Sequence, residues 1–129
     1  MRQIKVLVVD DHHDFRRVVT DFLSQVPNVD IVGEAIDGDE AIEKAETLSP
    51  DVILMDVMMP KRNGIEATRI IKQSWPNIKV MVEILYDNPV YRAQALEAKA
   101  DGFIIKSSMK PGLEATFGIA KAAPITNIL

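Results

Sequence analysis

The sequence lacks several features that mark particular classes of protein. Its 129 residues include no cysteine, which excludes disulfide bonds, thiolate metal sites and redox chemistry at cysteine. It has no apolar run near the ~18 residues that a membrane span needs. No signal-peptide pattern precedes its first apolar segment. We therefore expect a soluble, cytoplasmic protein with no membrane partner.

Basic charge is also scarce. The formal net charge is −4, and Lys and Arg form no stripe that could follow a phosphate backbone, so we expect no direct binding of nucleic acid. Hydrophobic residues make up 47 % of the chain, which is enough to fill one core. A chain of this length suits one domain, so we interpret residues 1–129 as a single domain.

Three short apolar segments end in charged residues. These segments and the residues that follow them are 4–9 with Asp10 and Asp11, 52–55 with Asp56, and 103–105 with Lys106. Apolar runs rich in β-branched residues are typical of strands buried on both faces of a parallel sheet. Because ligands bind at the carboxyl edge of such sheets, we expect the acids and the lysine to share one site.

Amphipathic helices are expected between the strands. The first has Asp14 as its expected N-cap, and a last, weak helix is expected over about 111–123, followed by a tail that could begin a linker. Two further strands are expected at 30–35 and 79–85. Five alternations of strand and helix with short connections predict a doubly wound α/β sandwich, with helices on both faces of a five-stranded parallel sheet.

Four motifs resemble the receiver domain of two-component response regulators. They are Val-Val-Asp-Asp-His at 8–12, Leu-Met-Asp-Val-Met-Met-Pro at 54–60, Asn-Gly-Ile-Glu-Ala-Thr at 63–68, and Ala-Asp-Gly-Phe-Ile-Ile-Lys at 100–106. The resemblance covers about residues 4–110 and is strongest to receivers that precede a LuxR-type DNA-binding domain. It implies a flavodoxin-like fold with the strand order 2-1-3-4-5.

The resemblance also implies a role for each residue at the sheet edge. Asp56 is the expected phosphoryl acceptor, and Lys106 is expected to contact the phosphoryl group. Asp10, Asp11 and Asp56, with the backbone carbonyl of Met58, are expected to bind Mg²⁺, a hard cation that prefers oxygen ligands. The implied partners are a sensor histidine kinase and a downstream effector, with a homodimer as a further candidate. The chain's own catalysis would be limited to self-phosphorylation and slow dephosphorylation.

One residue departs from the family pattern at a position that matters. The family has Ser or Thr at the end of the fourth strand, where this chain has Ile84, which has no hydroxyl to bond a phosphoryl group. In the family that hydroxyl acts with an aromatic residue on the fifth strand, here Phe103, which could instead simply fill the core. A hydrogen bond to a charged group is worth ~1.5 to 3 kcal/mol. We therefore expect intact phosphoryl acceptance and an impaired switch.

Glu83 and two histidines also need interpretation. A carboxylate in a central strand costs several kcal/mol unless it is paired or protonated. We therefore expect Glu83 to pair with a cation such as Lys106 or Arg92, or else the strand to be shifted or to end early, which leaves Glu83 in solvent. His12 and His13 are adjacent, and adjacent residues diverge on a helix, so we expect exposed helix-start positions and no metal ligation.

Other functions compete with that of a phosphoryl acceptor. A receiver-like interaction domain that works without phosphorylation would account for Ile84 and Glu83. A phosphatase of the haloacid dehalogenase type also uses an Asp nucleophile, but it carries a second Asp two residues later, where this chain has Met58. A flavodoxin-like FMN protein is disfavoured, because the first loop has acids where a bare phosphate needs hydroxyl and glycine donors.

Overall fold

A computed structural model of the chain describes residues 3–118 as a five-stranded parallel sheet between two layers of helices. The elements in chain order are β1 (Ile4–Val9), α1 (His13–Leu23), β2 (Val29–Ala35), α2 (Gly38–Leu48), β3 (Val52–Asp56), α3 (Gly64–Ser74), β4 (Lys79–Ile84), α4 (Pro89–Glu97), β5 (Gly102–Ile105) and α5 (Met109–Thr116). The strand order is β2-β1-β3-β4-β5. The predicted doubly wound, flavodoxin-like architecture is therefore confirmed.

The hydrophobic core has one part on each face of the sheet. Helices α1 and α5 cover one face, where Val19 and Leu113 pack with Leu54 and Ile104. Helices α2, α3 and α4 cover the other face. Burial of each such aliphatic side chain contributes about 1.5 to 3 kcal/mol, so the two layers hold the strand ends in fixed positions. Within residues 3–118, no helix has the length and apolar character to cross a membrane.

Polar side chains fix the beginnings of three helices. Asp37, Asn63 and Asn88 each accept a hydrogen bond from a backbone N–H in the first turn of α2, α3 and α4. A cap of this kind contributes about 1 kcal/mol. Because all three helices begin at the carboxyl edge of the sheet, these caps also shape the loops around that edge.

The first helix begins differently from the prediction. His12 is its N-cap, and the first helical hydrogen bond runs from the N–H of Arg16 to the carbonyl of His12. Asp14 is already inside the helix, so the prediction that it caps the helix is wrong. The side chain of His12 makes no capping hydrogen bond.

The last helix also begins earlier than predicted. A 3₁₀ turn over Lys106–Ser108 leads directly into α5 at Met109, so Pro111 lies in the first turn of the helix. Proline is tolerated there, since its missing N–H would have no partner within the helix. Residues 119–123 of the predicted helix lie outside the described residues, and a single domain over 1–129 stays a prediction.

Gly64 allows α3 to begin in close contact with the end of β3. A Cβ atom at this position would lie 1.9 Å from the carbonyl oxygen of Asp56. The N–H of Gly64 donates to the carbonyl of Val57 at 3.0 Å. Only a residue without a side chain permits this approach, so the loop after Asp56 depends on Gly64.

We expect Gly64→Ala to lower the free energy of unfolding by about 2 kcal/mol or more, although alanine favours helices, because the added methyl group meets backbone that cannot rotate away. Urea denaturation measures the loss. Gly33→Ala is the matched control, because its Cβ would come closest, at 2.8 Å, to the flexible Cδ1 of Leu48. Equal losses in the two variants would contradict this steric account.

Candidate functional site

The charged residues that follow β1, β3 and β5 lie together at the carboxyl edge of the sheet. The Nζ atom of Lys106 lies 2.9 Å from Oδ2 of Asp10 and 3.1 Å from Oδ1 of Asp56. Asp10 is 1 % exposed and Asp56 is 3 % exposed. Asp11, on the same loop as Asp10, is partly exposed. Residues from three separate strand ends thus form one cluster.

Strand alternation places the site residues on one face of the sheet. Four site residues each lie two positions after a residue of the core layer that α1 and α5 cover. The pairs are Val8 and Asp10, Leu54 and Asp56, Met81 and Glu83, and Ile104 and Lys106. Because side chains alternate along a strand with period two, the four share this face. Asp56 and Glu83 are direct neighbours in the register of β3 and β4.

Helix α1 supplies further contacts to the site. The Nη1 atom of Arg16 donates to the carbonyl of Asp10 at 2.7 Å, and Oδ1 of Asp10 accepts the backbone N–H of His12 at 2.8 Å. The ammonium of Lys106 lies 4.3 Å from the centroid of the Phe15 ring, a cation–π distance. No motif singles out Arg16 or Phe15; their places in the first turn after the acidic loop are the signal that could identify them.

Within the aspartate cluster, two buried carboxylate oxygens have no hydrogen-bond partner in residues 3–118. They are Oδ2 of Asp56 and Oδ1 of Asp11. The second lies 3.2 Å from Nδ1 of His12 without being aligned for a hydrogen bond. A buried acceptor without a partner is costly. A set of clustered carboxylate oxygens with unused lone pairs fits a Mg²⁺ ion, which prefers such ligands.

Burial and neighbouring charges shift the ionisation of the site. Burial, with the negative charge of Asp10, raises the pKa of Asp56 to about 6, against the opposing effect of Lys106. Burial lowers the pKa of Lys106, but its hydrogen bond to Asp10 and the charge of Asp56 outweigh that effect, so the pKa is raised overall. At neutral pH the site therefore holds an ionised Asp56 beside a charged ammonium.

Glu83 is neither paired with a cation nor exposed to solvent, which leaves the protonated form that the sequence also allows. It is 1 % exposed, and neither of its carboxyl oxygens has a hydrogen-bond partner among the described residues. Lys106 pairs with Asp10 and Asp56 instead, and Arg92 is not its partner either. Burial raises the pKa of Glu83 to about 8, with Lys106 opposing and Asp10 reinforcing the shift. Glu83 therefore keeps its proton at neutral pH.

The predicted switch residues lie close to the site but offer it no donor. Ile84 is the last residue of β4 and is 2 % exposed. Phe103 is partly exposed, and the guanidinium carbon of Arg92 lies 4.9 Å from the centroid of its ring. The side chain of Met58 is largely exposed, and its sulfur accepts a hydrogen bond from the Tyr91 hydroxyl at 3.2 Å. The assignment of the Met58 carbonyl as a metal ligand stays a prediction.

His12 lies in the acidic cluster, contrary to the prediction from helical divergence. Its Nδ1 atom is 3.2 Å from Oδ1 of both Asp10 and Asp11. The divergence argument fails because His12 precedes the helix. His13, the first helical residue, faces Asp14 at 3.3 Å instead. Both imidazoles are exposed, as expected.

Asp10, Asp11, His12 and Asp56 each offer one ligand atom, and these atoms lie within 4.8 Å of one another. Such a set of ligand atoms can surround a single divalent ion. Three of the four residues are the carboxylates predicted from the sequence. The arrangement combines a candidate metal site with a buried carboxylate, that of Asp56, and a fixed cation, that of Lys106.

Comparison with known proteins points to one family. A family model described as the response regulator receiver domain matches residues 6–117. The chain is 47 % identical over 107 residues to the response regulator protein VraR of Staphylococcus saprophyticus, with 81 % of this chain and 50 % of VraR covered. The chain spans about half the length of the curated relatives it matches.

Solved structures agree with this match. The response regulator domain of Thermotoga maritima CheB superposes with a TM-score of 0.76 and 42 % identity, covering 81 % of this chain and 78 % of that one. A LuxR-family two-component response regulator from Aurantimonas sp. SI85-9A1 gives a TM-score of 0.84 and 29 % identity, covering 91 % and 84 %. The predicted similarity to receivers of LuxR-type regulators is confirmed, and the chain belongs to the response regulator receiver domain family.

Proposed function

We propose that this chain accepts a phosphoryl group on Asp56 from the phosphohistidine of a sensor histidine kinase, in a step that depends on Mg²⁺. One observation carries the proposal. Oδ1 of the buried Asp56 lies 3.1 Å from the ammonium of Lys106, whereas Oδ2 has no hydrogen-bond partner in the described part of the chain. One oxygen is therefore held in place and the other is available to attack phosphorus.

Asp56 is the nucleophile of this transfer. Its Oδ2 atom forms a bond to phosphorus while the phosphorus–nitrogen bond of the kinase breaks, and the electron pair of that bond leaves with the imidazole. The product is an acyl phosphate on Asp56. Because positioning and electrostatics dominate phosphoryl transfer, an ionised carboxylate needs no general base. Lys106 stabilises negative charge on the transferring oxygens.

Asp10, Asp11 and Asp56 would hold Mg²⁺ together with the backbone carbonyl of Met58. When bound, Mg²⁺ supplies positive charge that offsets the repulsion among the carboxylates and the incoming phosphoryl group. The chain's own catalysis is limited to self-phosphorylation from small donors and slow loss of the phosphoryl group to water. As for response regulators in general, we place this activity in the cytoplasm.

Ile84 separates phosphoryl acceptance from signalling. Without a hydroxyl at the end of β4, the phosphoryl group loses a hydrogen bond worth about 1.5 to 3 kcal/mol. A free-energy difference of that size is a large part of what a two-state switch requires. We infer that phosphorylation is only weakly coupled to the surface formed by α4 and β5, where Phe103 lies.

A receiver that binds its partner without phosphorylation is the second candidate, and Ile84 with the buried Glu83 favours it. In either case the downstream partner is an effector domain or protein, and a second copy of the chain is a further candidate. The net charge of −4 argues against direct binding of nucleic acid by this chain. A haloacid dehalogenase activity lacks support, because Met58 stands where the second Asp would be.

Glu83 makes the free energy of unfolding depend on pH. Its pKa is 4.5 for a solvated carboxyl and about 8 in the folded protein. Between these values the unfolded chain releases a proton that the folded chain keeps. The contribution to stability is therefore fully present below pH 4.5 and is lost as the pH rises through about 8. By linkage, the loss amounts to several kcal/mol.

The proposed function is tested by incubating the chain with acetyl phosphate and Mg²⁺. We expect intact-mass spectrometry to show one added phosphoryl group, located at Asp56 by fragmentation and abolished by chelation of the metal. Asp56→Asn is the control, since it keeps the shape of the side chain and removes the nucleophile. Equal labelling of the two proteins would remove Asp56 from its role, and labelling without any conformational response would favour the second candidate.

Ile84→Thr tests the weak coupling. We expect the added hydroxyl to strengthen the response to beryllofluoride with Mg²⁺ by about 1.5 to 3 kcal/mol, because it can bond the bound anion. Hydrogen exchange of α4 and β5 amides, with and without beryllofluoride, measures the response. Ile84→Val is the control of similar shape without a hydroxyl. If threonine and valine give the same exchange, the missing hydroxyl is not what limits the switch.

Glu83→Leu tests the buried proton. We expect the free energy of unfolding of the variant to fall much less between about pH 5 and 8 than that of the original chain. The variant should also be more stable than the original chain at pH 8, because an apolar side chain has no proton to release. Urea denaturation across this range measures both effects. Glu97→Leu replaces a largely exposed carboxylate and should leave the decline in place. If the stability of the Glu83 variant fell with pH as steeply as that of the original chain, the assignment of the buried proton to Glu83 would be refuted.

A further inference from the structure

We propose that His12 is a fourth protein ligand of the metal site, and that it gives the site a preference for divalent transition metals such as Ni²⁺ beyond that of the carboxylates alone. The proposal rests on the proposed function in so far as it concerns the same site. It adds a nitrogen ligand to the oxygen ligands that the receiver family implies.

The position of the imidazole carries the argument. The Nδ1 atom of His12 lies 3.2 Å from Oδ1 of Asp10 and 3.2 Å from Oδ1 of Asp11. Together with Asp56, the four ligand atoms are all within 4.8 Å of one another. Ligands bound about 2.1 Å from one metal ion are separated by about 3 to 4 Å, so the two 3.2 Å separations already suit a shared ion, and a pair near the 4.8 Å limit would have to draw closer on binding.

A second observation shows that the cluster has unused ligand capacity. The side chain of Asp56 is 5 % exposed, and its Oδ2 atom has no hydrogen-bond partner within residues 3–118. Asp56 belongs to the same set of ligand atoms as His12. A buried carboxylate oxygen without a hydrogen-bond partner among the described residues, on a side chain that belongs to this set of candidate ligands, indicates a cation site and not merely an acidic loop.

The fold does not require the imidazole of His12. The residue is the N-cap of α1, but its side chain makes no capping hydrogen bond. Its side chain is 64 % exposed, so its burial contributes little to the core. The backbone N–H of His12 donates to Asp10 at 2.8 Å, and any residue other than proline would preserve that bond. The Nδ1 atom of His12 also makes a hydrogen bond with Oδ1 of Asp10 at 3.2 Å, so removal of the imidazole costs the loop that one contact and leaves the backbone bond in place.

The ligand preferences of each metal ion determine which ions His12 would bind more tightly. Imidazole suits Ni²⁺, Zn²⁺ and related ions, whose affinities rise from Mn²⁺ to Cu²⁺ for a given site, whereas Mg²⁺ prefers oxygen. As a ligand, the Nδ1 atom would offer its lone pair to the metal in the tautomer that carries the proton on Nε2, and its hydrogen bond with Oδ1 of Asp10 would be given up. His13 faces Asp14 outside the cluster and provides a matched control.

Calorimetric titration of the full chain, without an affinity tag, tests the proposal with Ni²⁺ and Mg²⁺ in separate experiments. We expect His12→Ala to weaken Ni²⁺ binding by about tenfold or more, since even the loss of a residue that only orients a ligand costs about 10- to 100-fold in metal affinity. Mg²⁺ affinity should fall by much less than Ni²⁺ affinity. His13→Ala should alter neither affinity. Paramagnetic broadening of the His12 ring resonances by Ni²⁺ gives a readout independent of affinity.

Unchanged Ni²⁺ affinity in His12→Ala would overturn the proposal and leave phosphoryl acceptance untouched, since Mg²⁺ binding would still be present. Equal weakening of both metals would also overturn it, because His12 would then act on the loop and not as a nitrogen ligand. If the unaltered chain bound neither metal, the Mg²⁺ site of the proposed function would fail as well. The three results are therefore distinguishable.

Discussion

The site depends on the ammonium of Lys106, which lies between the carboxylates of Asp10 and Asp56. Burying either acid without a cation would cost several kcal/mol, because a charge removed from water needs a partner. The shared ammonium offsets part of this cost, and one oxygen of Asp56 is left without a hydrogen-bond partner among the residues that the structure describes. The two core layers fix the ends of β3 and β5, so the distances within the cluster follow from the packing of the sheet.

Much of the fold and site could be predicted from the sequence, because the patterns that indicate them lie within short stretches of the chain. Buried parallel strands are continuous apolar runs, and the charged residues that end them must meet at one sheet edge. The positions of His12 and Arg16 were not predictable in this way, since they depend on where α1 begins. The start of α5 was predicted too late. Proline can stand in the first turn of a helix or just before it, so Pro111 does not show where α5 begins.

Glu83 shows a second limit of sequence reasoning. Its position in a central strand was evident, but whether it is paired, solvated or protonated depends on neighbours from other strands. In the structure Lys106 already pairs with Asp10 and Asp56. Burial is therefore the main influence on Glu83, and it raises the pKa of this residue to about 8. Glu83 and Ile84 are neighbours at the end of β4, beside the residues that we propose accept the phosphoryl group. Under the proposed function, phosphoryl acceptance and transmission of the signal rest on separate parts of the site.

A crystal structure of the chain with Mg²⁺ and beryllofluoride tests this account most directly. The account predicts beryllium bonded to the oxygen of Asp56 that has no partner, with the ammonium of Lys106 within hydrogen-bond distance of a fluoride. It also predicts that Asp10 and Asp11 contact the metal. Beryllofluoride bound elsewhere, or a Lys106 ammonium that stays on the aspartates and contacts no fluoride, would contradict the central claim.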